Sequence, residues 1–180
     1  MNLAGMMITA IATALVTALF VRRFVLYVAL ISSNSMLPSL KPGYKIIVTY
    51  LYRSDRIKVG DILVFYSREL RKTMIKRVIG LPGECVEIFA DGAVWINGEK
   101  LPEPYVHYAG GAAGSYRIPD QRYFLLGDNR ASSQDSRHWR QPYISEKDIR
   151  GKAVLCLYPL RRLDSEGGKF PLLLPGGKIL

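Results

Sequence analysis

The chain has 180 residues, enough for a membrane anchor plus one globular domain, or two small lobes sharing a core. Its 25 Lys and Arg against 15 Asp and Glu leave a formal net charge of +10, a surplus that suits nucleic acid, an anionic membrane surface or plain solubility. The basic residues are scattered, and no helix-turn-helix, zinc-finger spacing or RNA-recognition motif is present. Composition and motifs together therefore argue against nucleic acid as a partner and leave lipid headgroups or a merely solvated surface.

The first predicted element is a helix. Leu3 to Val21 carries no charge and is rich in Ala, Leu, Met, Ile and Val. At about 1.5 Å per residue it spans roughly 28 Å, close to the hydrocarbon core of a bilayer. A cleavable signal peptide has a shorter apolar core and a basic start. A buried core helix should show a polar stripe, which is absent apart from Thr9 and Thr17. The run is read as an N-terminal transmembrane anchor over residues 1–23. Arg22 and Arg23 follow it and no Lys or Arg precedes it, so a positive-inside count places the rest of the chain in the cytoplasm.

Beyond residue 40 the pattern changes to short apolar runs cut by turn signals. Pro42-Gly43 precedes Tyr44–Tyr50, and Gly60-Asp61 precedes Ile62–Tyr66. Lys72–Ile79 ends at Gly80-Leu81-Pro82-Gly83. Cys85–Phe89, Asp91-Gly92, Ala93–Ile96 and Asn97-Gly98 read as hairpin strands with turns that want positive φ. Tyr123–Leu126 and Ala153–Tyr158 are further strands. This spacing predicts a mainly β domain over 24–160, built of coiled antiparallel sheets in a partly open barrel. Residues 99–120 read as an irregular excursion and 161–180 as a loop-like tail, with no chemistry assigned to either. Cys85 and Cys156 form no CxxC pair, and His107 and His138 are not at ligand spacing to them, which argues against a metal. Buried free thiols are the simpler account of both cysteines, with a disulfide left open.

Three segments carry chemistry. The first is Ser32-Ser33-Asn34-Ser35-Met36-Leu37-Pro38-Ser39-Leu40, just past the anchor. The second is Met74-Ile75-Lys76-Arg77-Val78. The third is Gly127-Asp128-Asn129-Arg130-Ala131-Ser132-Ser133-Gln134-Asp135-Ser136-Arg137. A serine hydroxyl needs a base to take its proton. His138, beside Asp135, offers one through a Ser/His/Asp arrangement. The S-x-x-K pattern of penicillin-binding proteins is not met, because Pro38 stands three after Ser35. A lysine serves as base if it is neutral, which desolvation among apolar groups can achieve. Strand alternation puts Met74, Lys76 and Val78 on one face, so an inward face would desolvate Lys76 while Arg77 points the other way toward a carboxylate. The bland alternative for Lys76 is an exposed edge charge.

These three segments together resemble the signature of bacterial type I signal peptidases, the Ser/Lys-dyad enzymes that remove signal peptides at the membrane. The resemblance covers the anchor, Ser32–Leu40, Lys72–Glu84 and Gly127–Trp139. It implies Ser35 as nucleophile and Lys76 as general base, with Ser33 giving its hydroxyl to the oxyanion hole beside the Ser35 N–H. It implies that Ser133 orients the lysine amine, that Asp128 and Arg130 shape the loop carrying Ser133, and that Arg77, Asp135 and Arg137 form an ion-pair cluster. Ile31, Met36, Leu40, Met74 and Ile75 match positions lining small pockets for alanine at the −1 and −3 sites. The chain departs from the pattern at Ser32 (usually proline), Asn34 (usually glycine), Ser39 (usually threonine), Ala131 (often acidic) and Arg140 (often glycine).

The resemblance further implies a cofactor-free serine endopeptidase, single-pass in the plasma (inner) membrane, with its catalytic domain on the extracytoplasmic face. That placement opposes the positive-inside count. Its implied partners are signal peptides of secretory preproteins, membrane lipids and a nearby translocation machinery. Within catalysis, a conjugation-system or organelle peptidase or a LexA-like protein stays open. Outside catalysis, a membrane-tethered peptide-binding β-domain does.

Overall fold

The structure, a computed structural model, describes residues 3–51, 56–157 and 160–163. Helix α1 (Leu3–Phe24) buries none of its residues, and among the described residues it is the one helix long and apolar enough to cross a membrane. Thr13 joins Thr9 and Thr17 along it. Each hydroxyl donates back to a carbonyl about one turn earlier (Met6, Thr9 and Thr13, 2.8–2.9 Å), so these polar groups are satisfied within the helix.

The strands in chain order are β1 (Leu26–Leu30), β2 (Lys45–Thr49), β3 (Ile62–Ser67), β4 (Lys72–Gly80), β5 (Cys85–Ile88) and β6 (Val94–Ile96). They continue as β7 (Glu99–Lys100), β8 (Gly114–Arg117), β9 (Arg122–Leu126), β10 (Tyr143–Ser145), β11 (Ile149–Leu157) and β12 (Leu160–Arg162). The larger sheet runs β1-β2-β11-β3-β4-β9-β10, with β12 folded onto β11, and the smaller runs β7-β6-β5-β8. The architecture is mainly β and antiparallel, as the sequence suggests, but neither sheet closes into a barrel.

Alternation explains the core. In β3, Ile62 and Val64 pack with Ile31, Met36, Leu40 and Ile46 on one face. Leu63 and Phe65 pack with Val78, Leu125 and Trp139 on the other, so both faces of this strand are buried. A third cluster, holding Ile79, Val86, Ile118 and Phe124, joins the two sheets. At Gly80 a Cβ would overlap Ile118 and come within 2.6 Å of Val86, so the close approach of the sheets requires glycine there. Asn97 (φ 51°) and Gly98 (φ 84°) supply the two positive-φ residues of a tight turn between β6 and β7.

Three expectations change. The excursion at 99–120 contains β7 and β8, because β5 offers an open edge on which 114–117 pair in register, Cys85 with Arg117 through Ile88 with Gly114. The tail begins with β12, which pairs Arg161 and Arg162 against β11; residues 164–180 lie outside the described residues. Cys85 and Cys156 form no disulfide, and only Cys156 is buried. Cys85 alternates with the inward Val86 and is half-exposed, 3.9 Å from Ser115 Oγ.

Candidate active site

Ser35 sits in a turn between β1 and β2 that is anchored on both sides. Ile31 N–H donates to Tyr44 O, Gly43 N–H to Ile31 O, and Leu40 N–H to Met36 O. Met36 and Leu40 are fully buried beside Ile46 and Val48 and hold the turn against the core. They are not among the residues lining the neighbouring cleft, where a pocket role is expected for them; their apolar bulk packs the Ser35 turn against the core. The cleft, of about 190 Å³, is lined by Ile31, Ser33, Lys72, Met74, Ile75 and Lys76 among others, so the other expected pocket residues do face it.

β4 lies between β3 and β9 and carries Lys76 and Arg77 on opposite faces. Lys76 is 2% exposed. Its Nζ lies 2.7 Å from Ser35 Oγ and 3.0 Å from the Ile75 carbonyl, and among the described residues no carboxylate is bonded to it. Burial drives its pKa down to about 8 from the ordinary 10.5. The charge of Lys72 lowers it further, and Asp135 and Asp128 act the other way from a distance. Ser33 Oγ stands 3.3 Å from Ser35 Oγ.

Ser133 is 2% exposed and lies against Gly127, where a Cβ would overlap its hydroxyl and sit 2.5 Å from Ser35 O. The expected hydrogen bond from Ser133 to the lysine amine is not made. Among the described residues its hydroxyl has no hydrogen-bond partner, although it helps to lower the pKa of the nearby Asp135 carboxyl.

The expected ion-pair cluster resolves into separate pairs. Arg77, 1% exposed, donates to Asp128 through Nε (2.8 Å) and Nη2 (2.7 Å) and to Gly60 O through Nη1. Burial works against its charge, and the two bonds to Asp128 more than restore it. Arg137 binds Asp135 in the same bidentate way at 2.8 and 2.9 Å and reaches Gly110 O and Arg130 O. Burial alone would raise the Asp135 pKa; Arg137 and the Gly127 N–H hold it below the usual carboxylate range. His138 Nδ1 stands 3.7 Å from Asp135 Oδ1, with no serine hydrogen-bonded to it among the described residues, so the Ser/His/Asp arrangement is not formed.

Two residues of this network come from the excursion to which the sequence assigned no chemistry. Glu103 takes both terminal nitrogens of Arg130, whose Nε donates to Gly127 O. The Tyr105 ring lies 3.9 Å beneath the Arg77 guanidinium, and its hydroxyl donates to Glu103. One signal was present: Arg77, Arg130 and Arg137 in or beside the motifs need three acids if buried, and the motifs supply only Asp128 and Asp135.

The model of the family described as "Signal peptidase, peptidase S26" matches residues 5–158. The chain is 38% identical over 170 residues to a signal peptidase I of Leptolyngbya laminosa, covering 89% of this chain and 82% of that one. It is 32% identical over 171 residues to a signal peptidase I of Bacillus licheniformis, covering 87% and 89%. A crystal structure of a signal peptidase I from Enterococcus faecalis V583 superposes with a TM-score of 0.49 at 30% identity, over 54% of this chain and 96% of that one. With the match running through the apolar helix, the serine turn, β4 and the Gly127–Arg137 loop alike, the chain belongs to the signal peptidase family.

Proposed function

We propose that this membrane-anchored signal peptidase cleaves preproteins by acyl transfer, with Ser35 as nucleophile and Lys76 as general base. The observation that carries this reading is the 2.7 Å contact between Lys76 Nζ and Ser35 Oγ, with the amine out of water. A neutral amine has two N–H groups and one lone pair. With one N–H donated to Ile75 O, the lone pair is free to face the Ser35 hydroxyl.

Lys76 takes the Ser35 proton as Oγ bonds to the carbonyl carbon of a small residue at the end of the signal peptide. The carbonyl π pair moves onto oxygen, where the Ser33 hydroxyl and Ser35 N–H stabilise the charge. As the tetrahedral species collapses, the C–N bond breaks and the lysine ammonium protonates the leaving amine. The amine then takes a proton from water, whose oxygen attacks the acyl ester and releases the acid, returning the hydrogen to Ser35. Ser133, Arg77, Asp128, Arg130, Asp135 and Arg137 hold the loop and strand in place. Ile31, Met74 and Ile75 offer apolar walls for small side chains before the scissile bond.

The enzyme sits in the plasma membrane with its catalytic domain on the extracytoplasmic face, where exported chains emerge beside the translocation machinery. Arg22 and Arg23 end α1 on the domain side, where anionic headgroups can neutralise them. Anchoring supplies proximity, since the substrate's apolar segment shares the bilayer. Ser35→Ala and Lys76→Ala are each expected to abolish cleavage of a labelled preprotein ending in Ala-X-Ala while the protein stays folded. Retained processing in either variant removes that assignment, and binding of the preprotein with no product from the unmodified enzyme favours a peptide-binding module instead.

A further inference from the structure

The Asn34–Ser35 peptide unit is held at its carbonyl end. Asn34 O accepts from Leu37 N–H at 3.1 Å and from Asn129 Nδ2 at 3.2 Å, while the Asn129 backbone N–H donates to Ser35 O at 3.1 Å. Asn129 is 8% exposed, and among the described residues its side chain makes one hydrogen bond, the donation to Asn34 O.

The Asn34–Ser35 bond is trans, so the Ser35 N–H leaves the same rigid plane from the edge opposite Asn34 O. Fixing the direction of that oxygen fixes the direction of the N–H. A donor on the carbonyl also polarises the amide and strengthens the N–H as a donor. The Ser35 N–H itself donates to no protein acceptor among the described residues.

We propose that Asn129 is a positioning residue of the reaction, which acts through Asn34 O to aim and strengthen the Ser35 N–H as donor to the oxyanion. This rests on the acyl transfer at Ser35 set out above. The turn does not need the side chain merely to stay attached, because the Asn129 backbone N–H already ties the two loops and survives side-chain replacement. The loss therefore falls on the step in which negative charge develops on oxygen, and not on substrate binding.

The test uses the full chain and two variants. Asn129→Asp keeps the shape but puts an acceptor where the donor was, and Asn129→Ala removes the group. For both, kcat on a preprotein is expected to fall by about 10- to 100-fold, at or below the loss from deleting an oxyanion donor outright. KM and the pH at which activity appears are expected to stay unchanged. A peptide aldehyde ending in Ala should separate the effects further. Ser35 Oγ bonds to its carbonyl carbon, the hydroxyl proton passes to Lys76, and the carbonyl oxygen becomes the anion that the N–H holds. Its inhibition should weaken in step with kcat, while the same peptide as its carboxamide, which forms no adduct, binds as before.

A kcat within about two-fold of the unmodified enzyme in both variants overturns the proposal, as does equal weakening of aldehyde and carboxamide. Unfolding of both variants overturns it too, since the side chain would then be structural. Ser35→Ala is measured alongside: cleavage by that variant defeats the dyad reading, whereas full activity of the Asn129 variants over an inactive Ser35→Ala defeats only this one.

Discussion

Lys76 and Arg77 are neighbours on β4, both sealed from water, and they meet opposite electrostatic fates. Arg77 finds a bidentate carboxylate in Asp128 and an aromatic face in Tyr105, and it keeps its charge. Lys76, on the other face of the same strand, finds a serine hydroxyl and a backbone carbonyl, neither of which carries charge. Burial without a paired carboxylate lowers the energy of the neutral amine relative to the ammonium, which is what a base requires.

Cleavage should therefore rise with pH through about 8 as Lys76 loses its proton. Lys72 lines the same cleft and its positive charge disfavours the protonated form of Lys76. Lys72→Met is expected to move the limb of the kcat/KM profile to higher pH. A profile measured on both sides of 8 with no displacement would show that the Lys72 charge does not reach the amine.

The same burial costs stability. In the unfolded chain the lysine keeps the ordinary value of 10.5, whereas the folded value is about 8. Below 8 both states are protonated and the folded protein bears the full penalty, about 3–4 kcal/mol at about 1.4 kcal/mol per pKa unit. Between 8 and 10.5 the unfolded state binds one more proton, so stability rises with pH as the penalty is relieved. Lys76→Met is expected to be inactive yet more stable at neutral pH, with a gain that shrinks as pH rises toward 10.5. Chemical unfolding of both proteins in detergent at several pH values measures it; equal stability throughout would mean that the amine is solvated.

Asp128→Ala leaves the Arg77 guanidinium buried with only the Gly60 and Ser39 oxygens as acceptors. Breaking a buried pair in this way costs about 3–5 kcal/mol. Thermal unfolding should show a lowered midpoint, and replacing both partners with apolar residues (Arg77→Met with Asp128→Leu) should recover much of it. A loss below about 1 kcal/mol in the single variant would place the pair in solvent.

Gly127→Ala puts a methyl group against Ser133 Oγ and Ser35 O, one of them backbone. Overpacking of this kind costs about 1–3 kcal/mol, and here the displaced atoms belong to the Ser35 turn. Cleavage should fall much further than stability. Wild-type kcat in Gly127→Ala would show that the turn can shift without consequence.

Much of the frame was legible in the sequence because its signals are local. Short apolar runs bounded by turn signals gave β2 to β6, β9 and β11, and Asn97-Gly98 gave a turn whose dihedrals only such residues adopt easily. Strand alternation set Lys76 and Arg77 on opposite faces. What stayed hidden depends on distant partners. Strand β8 lies in a stretch of glycines and small residues and exists because β5 presents an edge to it. Glu103 and Tyr105 sit among prolines and gain their meaning from Arg130 and Arg77, which lie 27 residues away or more along the chain. The packing of Met36 and Leu40 in the core stayed hidden for a related reason: an apolar side chain in such a turn can face the cleft or the core, and periodicity does not say which.

The joint between α1 and β1 is a single residue long. Val25 alone separates them; its N–H still closes the helix on Val21 O, and its carbonyl already receives Tyr50 N–H from the sheet side. A one-residue joint hydrogen-bonded on both sides leaves the sheet little freedom to swing about the end of the helix.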